Sequence, residues 1–151
     1  MRHTDKFATS FVLLLLFCLS SSPSNAQDAS FEAAKRVPVS IHTAMAGGFW
    51  THSKNEGFFR VIVTAGGVEH VAHRLYIQWL RTDVNKQNYE LIRTVSVKEL
   101  NLGQGHILKV KTSFGDFNAF KVDVTANSRG GKSRRFAITV KGNGEYVIRS
   151  R

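Results

Sequence analysis

The stretch Glu69-His70-Val71-Ala72-His73 places a carboxylate and two imidazoles within five consecutive residues. Nitrogen and oxygen donors of this kind bind zinc or copper, so the first chemistry to weigh is metal ligation. Backbone geometry decides it. On a helix, residues three apart share a face, whereas on a strand they point to opposite faces and cannot hold one ion together. The order Glu-His-x-x-His also differs from the His-Glu-x-x-His of zinc proteases, whose histidines sit four apart on a helix. A site can still be assembled from several strands, and His42, His52 and His106 are the further donors available to His70 and His73. Zinc or copper binding by these histidines is therefore the alternative reading, and an ordinary strand is the primary one.

A second cluster lies in Ala126-Asn127-Ser128-Arg129-Gly130-Gly131-Lys132-Ser133. Its Gly-Lys-Ser ending is that of a phosphate-binding loop, but that loop needs a glycine where Ala126 stands and a helix after it. The following Arg135-Phe136-Ala137-Ile138 has strand character instead. As a glycine-rich hairpin tip, the segment carries Arg129, Lys132, Arg134 and Arg135 as an anion-binding patch, to which Arg149 and Arg151 add if the last strand lies alongside. Two aromatic pairs, Phe49-Trp50 and Phe58-Phe59, follow glycines. Neighbours in a strand face opposite ways, so one ring of each pair packs inward and the other can meet a sugar or a protein. Trp50 and Phe58 are the expected contact rings. Catalytic signatures are scarce: there is no Gly-x-Ser-x-Gly elbow, the acids are scattered singly, and the one cysteine lies in the N-terminal apolar segment. The reading is a binding protein rather than an enzyme.

The elements that must position these residues have a period of two. Phe120-Lys121-Val122-Asp123-Val124-Thr125 alternates strictly, the pattern of a strand with one face on a core and one in water. Phe136, Ile138 and Val140 alternate in the same way; Leu91, Val95 and Val97 share a face, as do Leu108 and Val110 opposite Lys109 and Lys111. Glycine pairs at Gly47-Gly48 and Gly66-Gly67, and Asn143-Gly144, mark turns. About eight strands follow, near 37–45, 49–54, 57–64, 70–81, 89–98, 106–113, 117–126 and 134–149, the last folded at Asn143. Short helical pieces are expected only around Phe31 to Arg36 and near Val84 to Gln87.

The segment from Val68 to Leu80 is ambiguous, because Val68, Val71, Ala72, Leu75, Tyr76 and Trp79 also form a helical stripe. Its richness in β-formers, the hairpin at Gly66-Gly67 and the lack of a helix cap favour a strand paired with Phe58 to Thr64. Val71, Leu75, Ile77 and Trp79 then face the core, His73 lies at its margin, and His70, Arg74 and Gln78 point outward. The fold class expected is all-β, an antiparallel β-sandwich (immunoglobulin-like or similar) of about seven to nine strands, with a small barrel as the alternative.

Residues 1–26 have the features of a cleaved signal peptide: Arg2 and Lys6, the apolar run Phe11 to Leu19, and Ser24 and Ala26 as small residues before the expected cut. The apolar run is short of the roughly 20 residues that span a bilayer. Residues 27–36 then form a flexible N-terminal segment and 37–151 one domain, with no transmembrane anchor after cleavage. Removing Arg2, Asp5 and Lys6 lowers the net charge from +10 to +9 over 125 residues, and Cys18 leaves too. An exported domain free of disulfides, with no Asn-x-Ser/Thr acceptor, fits a bacterial periplasm or a secreted protein. Its charge favours an anionic glycan, lipopolysaccharide or an acidic protein surface as partner; nucleic acid satisfies the same charge but is a poor physiological partner for an exported chain.

Overall fold

The computed structural model describes residues 33–67, 71–83, 85–86, 88–102, 105–114, 119–127 and 131–151. The proposed signal segment, His70 and Arg129 lie outside them. The chain divides into a segment ending at Val37 and a compact unit from Pro38 to Arg151. In the first, residues 33–35 form a helical turn, with Arg36 N–H bonded to the Ala33 carbonyl at 3.2 Å.

The second unit holds eight strands: β1 (Ile41–His52), β2 (Asn55–Gly66), β3 (Ala72–Asp83), β4 (Asn88–Ser96), β5 (His106–Phe114), β6 (Ala119–Asn127), β7 (Ser133–Lys141) and β8 (Tyr146–Ser150). They form two antiparallel four-stranded sheets, ordered β1-β2-β3-β4 and β5-β6-β7-β8. The fold is thus all-β and sandwich-like, as the alternation requires, and the described strands do not close into a barrel. Its connectivity is simpler than the immunoglobulin arrangement, which exchanges strands between sheets. Here each sheet is a meander, and one short helix, α1 (Lys98–Asn101), carries the chain from the first to the second.

The core is made by the inward residues of both sheets. Phe59, Val61 and Val63 lie opposite Trp79, Ile77 and Leu75 in the first sheet; Phe120, Val122 and Val124 lie opposite Val140, Ile138 and Phe136 in the second. Contacts between side chains and across to the backbone fasten the layers. The Phe59 and Phe120 rings stack at 5.4 Å and 6°, and the Trp79 indole N–H donates to the Lys141 carbonyl at 2.9 Å. The segment from Ala72 is therefore a strand, and Leu75, Ile77 and Trp79 are buried as the alternation demands. Val71 is not. It precedes the strand and is 43% exposed, because the described pairing ends at Gly66 opposite Ala72.

Three further expectations are corrected by bulges and turns. Gly47-Gly48 is not a turn: β1 runs through it, with a register shift between Gly47 and Phe49 and Gly48 at a φ of 65°. A Cβ at Gly48 would come within 2.8 Å of the Phe120 ring, so this bulge lets Phe120 lie directly on the β1 backbone. The turn falls instead between His52 and Asn55, where Ser53 adopts a left-handed φ of 57°. Leu108 is 58% exposed, since the shift between Ile107 and Lys109 leaves it as the extra residue and turns Ile107 inward. Leu91 is exposed on the edge strand β4 after a shift at Trp79/Leu80, while Val95 and Val97 keep the inward face.

The expected strand 89–98 stops at Ser96. Lys98-Glu99-Leu100-Asn101 has no alternation and forms α1, burying Leu100. Asn101 clamps this connection to β3: its side chain accepts from Leu75 N–H at 2.7 Å and donates to the Leu75 carbonyl at 2.9 Å and to Ser96 Oγ at 2.8 Å. The amide thereby supplies the acceptor for Leu75 N–H that β4 no longer provides, while Val97 N–H donates to the same Leu75 carbonyl at 3.0 Å.

Candidate functional site: a basic sheet face

The register of the second sheet sorts its polar residues onto one outward surface. Lys109, Thr125 and Arg135 form one row across β5, β6 and β7; Lys111, Asp123, Ala137 and Arg149 form the next across all four strands; Ser113, Lys121, Thr139 and Val147 form a third. Arg151 joins the first row, because its N–H donates to the Arg135 carbonyl at 2.8 Å. Strands β5 to β8 carry seven cations, Lys109, Lys111, Lys121, Arg134, Arg135, Lys141 and Arg149, against the single acid Asp123. The first sheet is nearly balanced, with Arg60, Arg74, Arg81 and Arg93 against Glu56, Asp83 and Glu90. Charge is segregated by sheet.

Two shallow grooves run over this surface. One, of about 790 Å³, is bordered by Lys109, Lys111, Arg135 and Arg151; the other, of about 490 Å³, by Lys121, Thr139 and Arg149. They meet at Asp123, whose carboxylate lies 3.6 Å from the Arg151 guanidinium. Both groups are largely in water, so the pair contributes little stability and can be rearranged by a competing anion.

Of the expected anion-binding residues, Lys132, Arg134 and Arg135 are exposed, but Arg135 alone looks out from the middle of the face. Arg134 has the inward parity of Phe136 but is exposed, opposite Ala126 at the margin of the core. The last strand does lie beside β7 and contributes Arg149 and Arg151. Lys109, Lys111 and Lys121 were legible as the polar positions of alternating strands, yet their convergence depended on which strands pair.

The aromatic residues are placed differently from the expectation. Trp50 is 3% exposed, with its indole N–H bonded to the Phe58 carbonyl at 3.1 Å, so the ring offered to water is Phe49, which is 77% exposed. The Gly47-Gly48 bulge sets this parity. Phe58 is half-buried and meets Tyr89 edge-on at 4.8 Å. Leu80, cross-strand partner of Phe58 and Leu91, is buried there although it belongs to no part of the inter-sheet core. These side chains form a small apolar cluster on the outer side of the first sheet, flanked by the Arg81–Glu90 ion pair.

Three of the histidines do come together. His42, on the bulge that opens β1, stacks on His73 at 4.9 Å, and His73 meets His106 edge-on at 5.8 Å. His73 Nδ1 accepts the Ile107 N–H at 3.0 Å, tying β3 to β5, and this leaves Nε2 as its other polar atom. Burial first, then the neighbouring His42 and His106, hold the His73 pKa below the usual value near 6.5. Rings stacked face to face and edge-on do not aim lone pairs at one point. Among the described residues, no group of three His, Cys, Asp or Glu side chains is arranged to hold a metal ion. His52 stands apart, at the far end of β1.

No helix among the described residues is long and apolar enough to cross a membrane. Comparison with protein-family models, curated proteins and solved structures finds no match to this chain.

Proposed function

We propose that this is an exported, non-catalytic binding or accessory protein that engages an anionic envelope component, or an acidic protein surface, through the outer face of the β5–β8 sheet. One observation carries the reading: seven cations and one acid on four adjacent strands, beside a first sheet that is almost neutral. A positive charge spread evenly over the surface serves solubility; one gathered on a single face builds a local potential that attracts anions and speeds their encounter. Lysines on edge strands also discourage sheet-to-sheet aggregation, and Lys109 and Lys111 on β5 serve that end as well. That role does not extend to Lys121 and Arg135, which sit on the interior strands β6 and β7. Export follows from the N-terminal charge, apolar run and small residues, and it directs attention to acidic polysaccharide and lipopolysaccharide phosphates rather than nucleic acid.

The test is retention on an immobilised acidic glycan across a salt series, comparing the parent with Lys111→Glu, Arg135→Glu and, on the opposite sheet, Arg74→Glu. Each replacement changes the net charge equally. Retention lost in the first two and kept in the third supports the assigned face. Equal loss in all three means that overall charge, and no particular surface, governs binding. Absence of retention at low salt in the parent overturns the reading altogether.

A further inference from the structure

The two grooves and the lone carboxylate between them say more about the ligand than its sign. Lysines 109 and 111 stand on β5 and arginines 149 and 151 at β8 or just beyond it, with β6 and β7 between. Three strand spacings separate the two banks, about 14–15 Å. Arg151 reaches inward to Asp123 on β6, 3.6 Å away, so Arg149 is the far end of the second bank. Between the banks, Thr125, Ala137 and Thr139 form a floor of methyl and hydroxyl groups, with Lys121 and Arg135 standing among them on β6 and β7. Such a floor accommodates a flat chain and offers it hydrogen bonds. The outward rows of β5 to β8 carry no aromatic ring on which nucleic-acid bases would stack, and their one large apolar side chain is Val147; the exposed Leu108 and Phe114 stand outside those rows, toward the two ends of β5.

Asp123 sits where the two grooves meet, midway across this floor. A uniformly charged polymer crossing along the row Lys111, Asp123, Ala137 and Arg149 must place an anion against that carboxylate. A polymer whose charged and neutral units alternate can set a neutral unit over it while its anions reach the flanking cations. Like-charge contact of this kind is how an interface rejects a wrong partner.

We infer that the ligand of this face is a linear acidic polysaccharide of spaced charge, lying across the four strands from the β5 lysines to the β8 arginines, with Asp123 as the residue that discriminates against densely charged polyanions. This rests on the reading of the β5–β8 face as anion-binding. Binding to both banks by one chain is bivalent, so affinity grows with length until both are reached and then levels off.

The experiment titrates the full exported chain with hyaluronan oligosaccharides, in which uronate alternates with a neutral sugar, and with inorganic polyphosphate, at low and moderate salt. The expected result is about a tenfold gain in affinity from the disaccharide to the hexasaccharide and little beyond it. Asp123 is exposed, so Asp123→Asn folds as the parent does, which circular dichroism verifies. It is expected to strengthen polyphosphate binding about tenfold and hexasaccharide binding less than about threefold. A hexasaccharide that binds no better than the disaccharide, or an Asp123→Asn variant that strengthens both ligands equally, overturns this inference while the proposed function stands. Failure of both polymers to bind the parent at low salt overturns both.

Discussion

Trp79 is the place where a single substitution should reveal how the two sheets are held together. It is 2% exposed, its ring meets Phe59 edge-on at 5.9 Å, and its N–H reaches across to the Lys141 carbonyl at the end of β7. Burying an indole removes about 250 Å² from water, which at about 25 cal/mol per Å² bounds the stabilisation near 6 kcal/mol. Observed costs of Trp→Ala in cores are about 3–5 kcal/mol, because neighbours relax partly into the cavity. Trp79→Ala should fall in that range, a large part of the roughly 5–15 kcal/mol that holds a domain folded. Trp79→Phe separates ring from bond. It keeps most of the apolar surface and loses the cross-sheet hydrogen bond, so it should cost about 1–3 kcal/mol. Phe49→Ala, which truncates an exposed ring, should change stability by less than about 0.5 kcal/mol. The assay is urea unfolding followed by circular dichroism, since removing one of the two tryptophans alters the fluorescence signal. A Trp79→Ala cost below about 1 kcal/mol would refute the sandwich core as described. If Trp79→Phe cost as much as Trp79→Ala, the bond rather than the burial would hold the layers together.

Acidification should destabilise the fold through His73. Its folded-state pKa is depressed, so below the unfolded value near 6.5 the unfolded chain takes the proton first, and stability falls as pH drops through and below that point. Unfolding curves between pH 8 and pH 5 should show this loss in the parent and a smaller one in His73→Asn; equal slopes would mean that other groups dominate. A Cβ at Gly57 would lie 1.8 Å from the Leu80 carbonyl oxygen, whereas one at Gly66 meets nothing within 4 Å. Gly57→Ala should therefore impair folding or lower the melting temperature by many degrees, while Gly66→Ala should leave it unchanged or slightly raised. Removing the amide clamp with Asn101→Ala leaves the Leu75 N–H without its partner, while the Leu75 carbonyl keeps Val97 N–H, and should cost about 1–3 kcal/mol in the same denaturation assay.

Local alternation carries a great deal of this fold. Phe120 to Thr125 and Phe136 to Val140 have inward and outward faces that any strand with that pattern must show, and both are realised. The strand character from Ala72 to Trp79 was legible for the same reason, even against a competing helical stripe, because β-branched and aromatic residues fit a pleated surface. The excess of cations and the N-terminal apolar segment are properties of composition and order alone. What local pattern does not contain is parity across a bulge. One extra residue at Gly48, at His42 or at Leu108 inverts every side chain after it, and whether a glycine pair turns or bulges depends on a ring, Phe120, more than seventy positions away. Trp50 was misplaced on the surface for that reason. The grouping of His42, His73 and His106, and of Lys109 with Arg135 and Arg151, lies equally beyond the sequence. Each set is drawn from three distant parts of the sequence, and only strand pairing and the packing of one sheet on the other bring its members together.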